Sequence, residues 1–174
     1  GLYMAQPFYM QYEAEYNGCK NCEDSYQQFL QVYDRMRDPL NGLYYHAYDD
    51  SRQMFWCDKV TGLSENFWLR AMGWYAMALI DTMEVMPESM ACQKARLNAI
   101  YKELIDAMLP YQDQATGMWY QVVNRGGIAP NYLEESGSAI FAYAIMKSVR
   151  LHYLPEEYFK YGQKAFDGIC STYL

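Results

Sequence analysis

Asp38-Pro39-Leu40-Asn41-Gly42-Leu43-Tyr44-Tyr45 and Asp113-Gln114-Ala115-Thr116-Gly117-Met118-Trp119-Tyr120 are two copies of one pattern, D-x-x-[NT]-G-Φ-[YW]-Y with Φ apolar, 75 residues apart. Each opens a long loop, residues 38–66 and 111–135, and a helix pair separates the two. The glycine can take the positive φ of a tight turn. The aromatic pair behind it either plugs that turn or covers a binding rim. Loops of this length inside a compact domain are usually functional. A helix-pair unit recurring with its elaborated loops on one side implies an open solenoid or a closed α/α toroid.

Working outward, helix-period patterns dominate and no run alternates convincingly as a strand. The spacing predicts helices over residues 4–16, 24–37, 67–86, 88–109, 137–151 and 155–173. Pro7 is tolerated in the first turn of the first. Asp24 is a candidate cap for the second, whose apolar stripe is Phe29, Leu30, Val32, Tyr33 and Met36. Pro39 with Gly42, Pro87 and Pro110 supply stops. The class is therefore all-α. A toroid of six hairpins needs about twice as many helices, so a toroid reading makes the chain about half of one. Its open ends would then expose apolar helix faces that neighbouring hairpins cover.

The 174 residues suit one domain with a real core, and the 52% apolar content contains no run long enough to span a bilayer. A net charge of −7 disfavours nucleic acid and anionic membrane as partners. An anionic sugar remains compatible, because one placed arginine can bind its carboxylate. The start, Gly1 to Pro7, has neither the features of a secretion signal nor an initiator Met, which reads as a fragment or a processed product. Five cysteines, an odd number, do not read as a disulfide framework. Cys19 and Cys22 form a CxxC without the second pair or histidines of a zinc site. A reducing, cytoplasmic setting is preferred, with the periplasm left open. Aromatic residues reach 17%, with 19 Tyr and 4 Trp. That composition suits a carbohydrate cleft and equally a wet helical interface.

Three clusters could carry chemistry. In Glu65-Asn66-Phe67-Trp68-Leu69-Arg70-Ala71-Met72-Gly73-Trp74, Trp68 and Arg70 straddle a helix start, and Arg70 and Trp74 share a face. An arginine between two indoles can clamp a carboxylate while the rings stack on a pyranose. The structural alternative is a cation–π staple, although an arginine in a first turn opposes the helix dipole. Gly73 leaves room for close packing. His46 follows the first turn and can donate to a sugar hydroxyl or carboxylate, or be an ordinary loop histidine. Asp49 and Asp50 behind it read as a solvated turn, and the other histidine, His152, lies near a helix end. Finally, Asn131 to Ala139 (NYLEESGSA) fits a helix N-terminus capped by Ser136 or Glu135, whose free N–H groups could also hold an anionic ligand.

Together these clusters resemble one family. The opening Gly1-Leu2-Tyr3-Met4-Ala5-Gln6-Pro7-Phe8, then Gly42 to His46, Phe67 to Trp74, and Gly117-Met118-Trp119-Tyr120-Gln121 through Tyr132 to Ser138 look like the unsaturated rhamnogalacturonyl hydrolases and unsaturated glucuronyl hydrolases (glycoside hydrolase families 105 and 88). The resemblance covers nearly the whole chain. It implies an (α/α)6 six-hairpin barrel, with 1–174 as a single partial domain of central hairpins. It also implies hydration of the C4=C5 bond of a terminal unsaturated uronic acid, with pectic rhamnogalacturonan fragments as the substrate, by one aspartate and no cofactor. That aspartate is expected immediately before Gly1, so these residues alone would be inactive. His46, Trp68, Arg70 and Trp74 match the family's substrate-binding positions. The usual Arg-Gly-Asn-Gly-Trp is here Arg70-Ala71-Met72-Gly73-Trp74, an amide lost to a thioether. Competing readings are a non-catalytic carbohydrate-binding or degenerate toroid, and an unrelated helical repeat for protein contacts.

Overall fold

The computed structural model describes residues 2–173. Within them six α-helices run in chain order: α1 (Leu2–Tyr16), α2 (Cys22–Met36), α3 (Leu69–Val85), α4 (Ala91–Met108), α5 (Glu135–Arg150) and α6 (Phe159–Tyr173). No named strand occurs there, only isolated bridges in the loops. The helices pair into three successive hairpins. α1, α3 and α5 pack side by side as an inner layer with α3 central, and α2, α4 and α6 back them as an outer layer. This is the two-layer arrangement of an α/α toroid, as the sequence implied.

The central position of α3 explains its composition. Ala76, Ala78, Leu79, Ile80 and Met83 are all fully buried, so apolar residues occur around the helix and not along one stripe. Gly73 lets α5 approach, because a Cβ there would lie 3.1 Å from Ile140. Outer helix α2 instead has one buried side, anchored by Phe29, whose carbonyl accepts the Tyr75 hydroxyl at 2.9 Å.

Connections are unequal. Residues 17–21, 86–90 and 151–158 close the hairpins briefly at one end, while residues 37–68 and 109–134 form the opposite rim. The repeated pattern is a turn locked by its own aspartate. Asp38 N–H bonds Leu43 O at 2.8 Å and Gly42 N–H bonds Asp38 O at 2.9 Å. Asp113 does the same with Met118 and Gly117, at 2.8 Å each. The glycines Gly42 and Gly117 both sit at φ +76°. In the second copy the aromatic is a plug: Trp119 is fully buried and its indole N–H donates to Met108 O at 2.9 Å. In the first, Tyr44 is buried while Tyr45 is only half-buried and faces Phe67.

Helix starts differ from the sequence reading for identifiable reasons. α3 begins at Leu69, two residues late, because Leu69 N–H and Phe67 O are taken by Gln121 and Val123 of the second rim loop, at 2.9 and 3.0 Å. α2 begins at Cys22, so Asp24 falls in its first turn and is not its cap. Asn21 precedes it, but its amide and backbone N–H go to the buried Glu13, at 3.2 and 2.9 Å. The Asn17 side-chain amide, and then those Asn21 bonds, hold the Glu13 carboxyl below its ordinary value. The α5 cap is Glu134, not Ser136 or Glu135. His152, just beyond α5, takes the left-handed φ +60° of a helix terminator. Cys19 and Cys22, for which the sequence offers no framework, are joined as a disulfide at the α1–α2 corner.

Both flanks of the layer pair carry exposed apolar surface. On α1, Met4, Phe8, Tyr12 and Tyr16 recur every fourth residue and all face out. On α6, Phe166 and Tyr173 are exposed. Isolated exposed hydrophobes are ordinary, but a stripe four residues long is not. Among the described residues no helix is long and apolar enough to cross a membrane.

The second rim loop lies directly on α6. A Cβ at Gly168 would come 1.8 Å from the Thr116 carbonyl oxygen, and one at Gly117 would come 2.7 Å from the Lys164 backbone. Backbone faces backbone there, so no rotamer can relieve the clash. Gly168→Ala is expected to cost about 3 kcal/mol, the upper range for overpacking, read as a lowered urea midpoint at unchanged slope.

Candidate functional site

The rim encloses a cavity of about 540 Å³ between the N-terminal turn of α1, the start of α3 and the first long loop. Met72 and Tyr75 lie beneath it, Val32 and Met36 come from α2, and Tyr3, Tyr45, His46, Trp68 and Trp74 form the walls. Its size and aromatic lining are those of a small-ligand site. Three of the four binding residues expected from sequence, His46, Trp68 and Trp74, line it.

Each is placed by local structure. Trp68 caps α3 without being helical, held extended by its bridge to Val122. His46 follows the turn at Gly42 and meets the Trp68 ring edge-on, centroids 6.1 Å apart at 90°. Trp74 lies one turn along α3, is 40% exposed, and pairs with Tyr3 at 4.9 Å. Ala71 and Met72, where the sequence departs from the family pattern, both line the cavity. Met72 is buried, and its sulfur receives the Tyr44 N–H at 3.3 Å.

Arg70 does not line the cavity itself. Its guanidinium lies over the Trp68 ring, 4.8 Å from the centroid, and its side chain keeps about a third of its surface exposed (36%). The expected sandwich of Arg70 between two indoles is therefore half realised: Trp68 takes the guanidinium and Trp74 turns to Tyr3. Arg70 Nη1 reaches Glu134 Oε1 at 3.4 Å and Ser136 Oγ at 3.3 Å. Glu134 is nearly fully buried. Its other oxygen accepts Gly137 N–H at 2.7 Å, and the Ser136 hydroxyl donates to Oε1. One carboxylate thus caps α5, fixes Ser136 and neutralises a cation that sits unfavourably in the first turn of α3. Such an arginine has donors left for a planar anion. Among the described residues no three His, Cys, Asp or Glu side chains converge to hold a metal ion.

The third long-loop feature went unread in the sequence although its signal is present. Asp58-Lys59-Val60-Thr61-Gly62 is another D-x-x-[NT]-G turn, with Gly62 at φ +79° and the same pair of backbone bonds. It lacks only the aromatic pair after the glycine. Asp49 organises the segment before it, accepting N–H groups from Ser51, Gln53 and Met54 at 3.1, 2.8 and 2.9 Å. Asp50 instead pairs with Arg35. The donors around Asp49, Met54 N–H foremost, lower its pKa to about 2, and those around Asp58 and Asp113 act in the same direction. A depressed carboxyl stabilises the fold above its ordinary value of 3.8 and loses that contribution as pH falls through its folded value. Limited proteolysis of the rim is accordingly expected to be slow at neutral pH and to accelerate in an acid protease as pH drops from about 4 towards 2.

Comparison with known proteins agrees with this geometry. The chain is 36% identical over 175 residues to protein Atu3128 of Agrobacterium fabrum, covering 98% of this chain and 73% of that one. It is 31% identical over 153 residues to the unsaturated rhamnogalacturonyl hydrolase YesR of Bacillus subtilis, covering 86% and 38%. The structure superposes on a family 105 glycoside hydrolase from C. acetobutylicum with a TM-score of 0.94 at 42% identity, over 98% of this chain and 47% of that one. The chain thus spans about half of that hydrolase. The profile of Glycosyl Hydrolase Family 88 matches residues 1–173, and the chain belongs to that family.

Proposed function

We propose that the protein hydrolyses unsaturated uronyl oligosaccharides of the kind polysaccharide lyases release, pectic rhamnogalacturonan fragments above all. The observation that carries this reading is the Arg70 guanidinium, stacked on Trp68 at the edge of an aromatic cavity and anchored from behind by Glu134. A uronate carboxylate would take the free donors of Arg70, the sugar ring would lie against Trp68 and Trp74, and His46 would donate to a ring substituent. Similarity to YesR and to a family 105 hydrolase supports the same choice.

The reaction would begin with proton transfer to C4 from an aspartate, expected immediately before Gly1; Gly1 itself lies outside the described residues. Water would then add at C5, losing its proton to the same carboxylate. The C5 hemiketal would open to a ketone, and the C1 hemiacetal would release the aglycone. A general acid of this kind contributes about 10²–10⁴-fold. In this reading residues 1–174 are the central hairpins and binding wall of a larger toroid whose other hairpins cover the exposed faces of α1 and α6. By themselves they would bind substrate without turning it over.

The test is to run the intact protein in deuterium oxide with an unsaturated galacturonyl-rhamnose disaccharide. One deuterium at C4 of the released keto-acid, with free rhamnose, is the expected product pattern. A double bond that survives, here and in a glycosaminoglycan-derived disaccharide, would leave a non-catalytic carbohydrate-binding toroid.

A further inference from the structure

Beside the main cavity lies a second one, of about 510 Å³, which none of the residues expected from sequence enters. Trp56, Asp58, Thr61 and Ser64 supply its ring and polar groups, and Tyr45 is shared with the first cavity. The Trp56 ring also stands 6.4 Å from that of His46, whose ring lies 6.1 Å from Trp68. An unbroken aromatic row, Trp56–His46–Trp68, therefore leads from one cavity to the other.

Two polar groups here keep free hydrogen-bonding capacity. The Asp58 turn directs all three of its donors, Val60 N–H, Thr61 N–H and the Thr61 hydroxyl, to Oδ1. Oδ2 has no partner among the described residues. Ser64 is buried and accepts Ala47 N–H at 3.2 Å, yet its own proton meets no acceptor there. The two sister turns are backed by helices, Gly42 by Ala107 of α4 and Gly117 by Lys164 of α6. The Asp58 turn is backed instead by loop residues, Tyr48 and Asp49.

The charge of this groove selects its ligand. Asp58 and Glu65 line it and no basic residue does; Lys59 Nζ is engaged by Gln53 O and Met54 O, at 3.1 and 2.6 Å, and lies 4.0 Å from Cys57 Sγ. Glu65 meets Arg125 through Oε1 only. A sulfated or carboxylated sugar would be repelled. A neutral pyranose can stack on Trp56 and donate hydroxyls to the carboxylates.

We propose that the Trp56–Asp58–Ser64 groove is a second sugar subsite that takes the neutral sugar next to the unsaturated uronate. This deepens the proposed function, on which it rests, and favours a neutral leaving sugar over the sulfated amino sugar of glycosaminoglycan products.

The experiment compares wild type, Trp56→Ala and Trp56→Phe in the intact protein. Substrates are the unsaturated galacturonyl-rhamnose disaccharide and the methyl glycoside of the same unsaturated uronate, which has no second sugar. Saturation-transfer NMR with methyl α-L-rhamnoside reads the groove without catalysis. Losing one stacking ring corresponds to roughly tenfold. Trp56→Ala is thus expected to raise KM about tenfold for the disaccharide, at unchanged kcat, and to leave the methyl glycoside unaffected. It should abolish saturation transfer, and Trp56→Phe should restore most of both. Equal loss on both substrates would mean that Trp56 only props His46, and would overturn the subsite. So would an unchanged disaccharide KM, or saturation that survives Trp56→Ala. If neither substrate is turned over, the hydrolase reading fails, and saturation transfer still decides whether the groove holds a neutral sugar.

Discussion

Replacing Arg70 with alanine is expected to lower kcat/KM for an unsaturated uronyl disaccharide about 100-fold, and to lower the melting temperature as well, because the buried Glu134 carboxylate loses its counter-charge. Truncating one partner of a desolvated, hydrogen-bonded charge pair costs about 2–5 kcal/mol, and each 1.4 kcal/mol is tenfold. The guanidinium is partly exposed at its outer edge, so the lower half of that range applies. Arg70→Lys should recover little. Lysine can approach Glu134, but it lacks the planar fork and stacks poorly on Trp68. Steady-state kinetics beside thermal melts separate this from the structural alternative. A mere cation–π staple would lower the melting temperature alone and leave affinity for the sugar unmoved.

Glu134→Ala carries the second large effect, and it falls on stability and function together. The carboxylate accepts Gly137 N–H at the start of α5 and also holds Ser136 and Arg70. Removing it strips a cap, typically ~1 kcal/mol. It also leaves a half-buried cation without its counter-charge, which costs more again. A total of about 3 kcal/mol corresponds to a fall of roughly 6–12 °C for a domain of this size. Glu134→Gln keeps an oxygen for Gly137 N–H and should recover the cap alone. Its melting temperature is therefore expected between wild type and alanine, while its kcat/KM stays close to that of Glu134→Ala. Equal kcat/KM in wild type and Glu134→Gln would show that Arg70 needs no counter-charge to be placed.

Much of the fold was legible because its decisive signals are local. Prolines 87 and 110 end helices wherever they stand, and the D-x-x-[NT]-G turns satisfy their own backbone groups. The long loops sharing one rim follow from their positions between successive hairpins. What could not be read depends on partners distant in sequence. α3 starts at Leu69 because residues more than fifty positions away pair with Phe67 and Leu69. The sequence points to Ser136 or Glu135 as the α5 cap. Glu134 is chosen because its carboxylate, buried beside Arg70, has two partners beyond the Gly137 N–H of an ordinary cap, the Ser136 hydroxyl and the Arg70 guanidinium. The same holds for the site. His46, Trp68 and Trp74 line one cavity, but Arg70 stands at its edge, held over the Trp68 ring by Glu134 and Ser136, while Trp74 pairs with Tyr3. Trp119, an equal candidate for the rim on composition, is spent on plugging the second loop. The Asp58 turn falls outside the repeat because Ser64 and Glu65 stand where the aromatic pair would follow.

In the proposed function this rim binds a sugar carrying a C4=C5 bond so that the bond is consumed. The most direct measurement follows ultraviolet absorbance of that bond on adding the intact protein to an unsaturated galacturonyl-rhamnose disaccharide, with the saturated polymer in parallel. Absorbance is expected to fall with the disaccharide and to stay flat with the polymer. Absorbance that rises with the polymer would mean eliminative cleavage that creates the bond, and would contradict it.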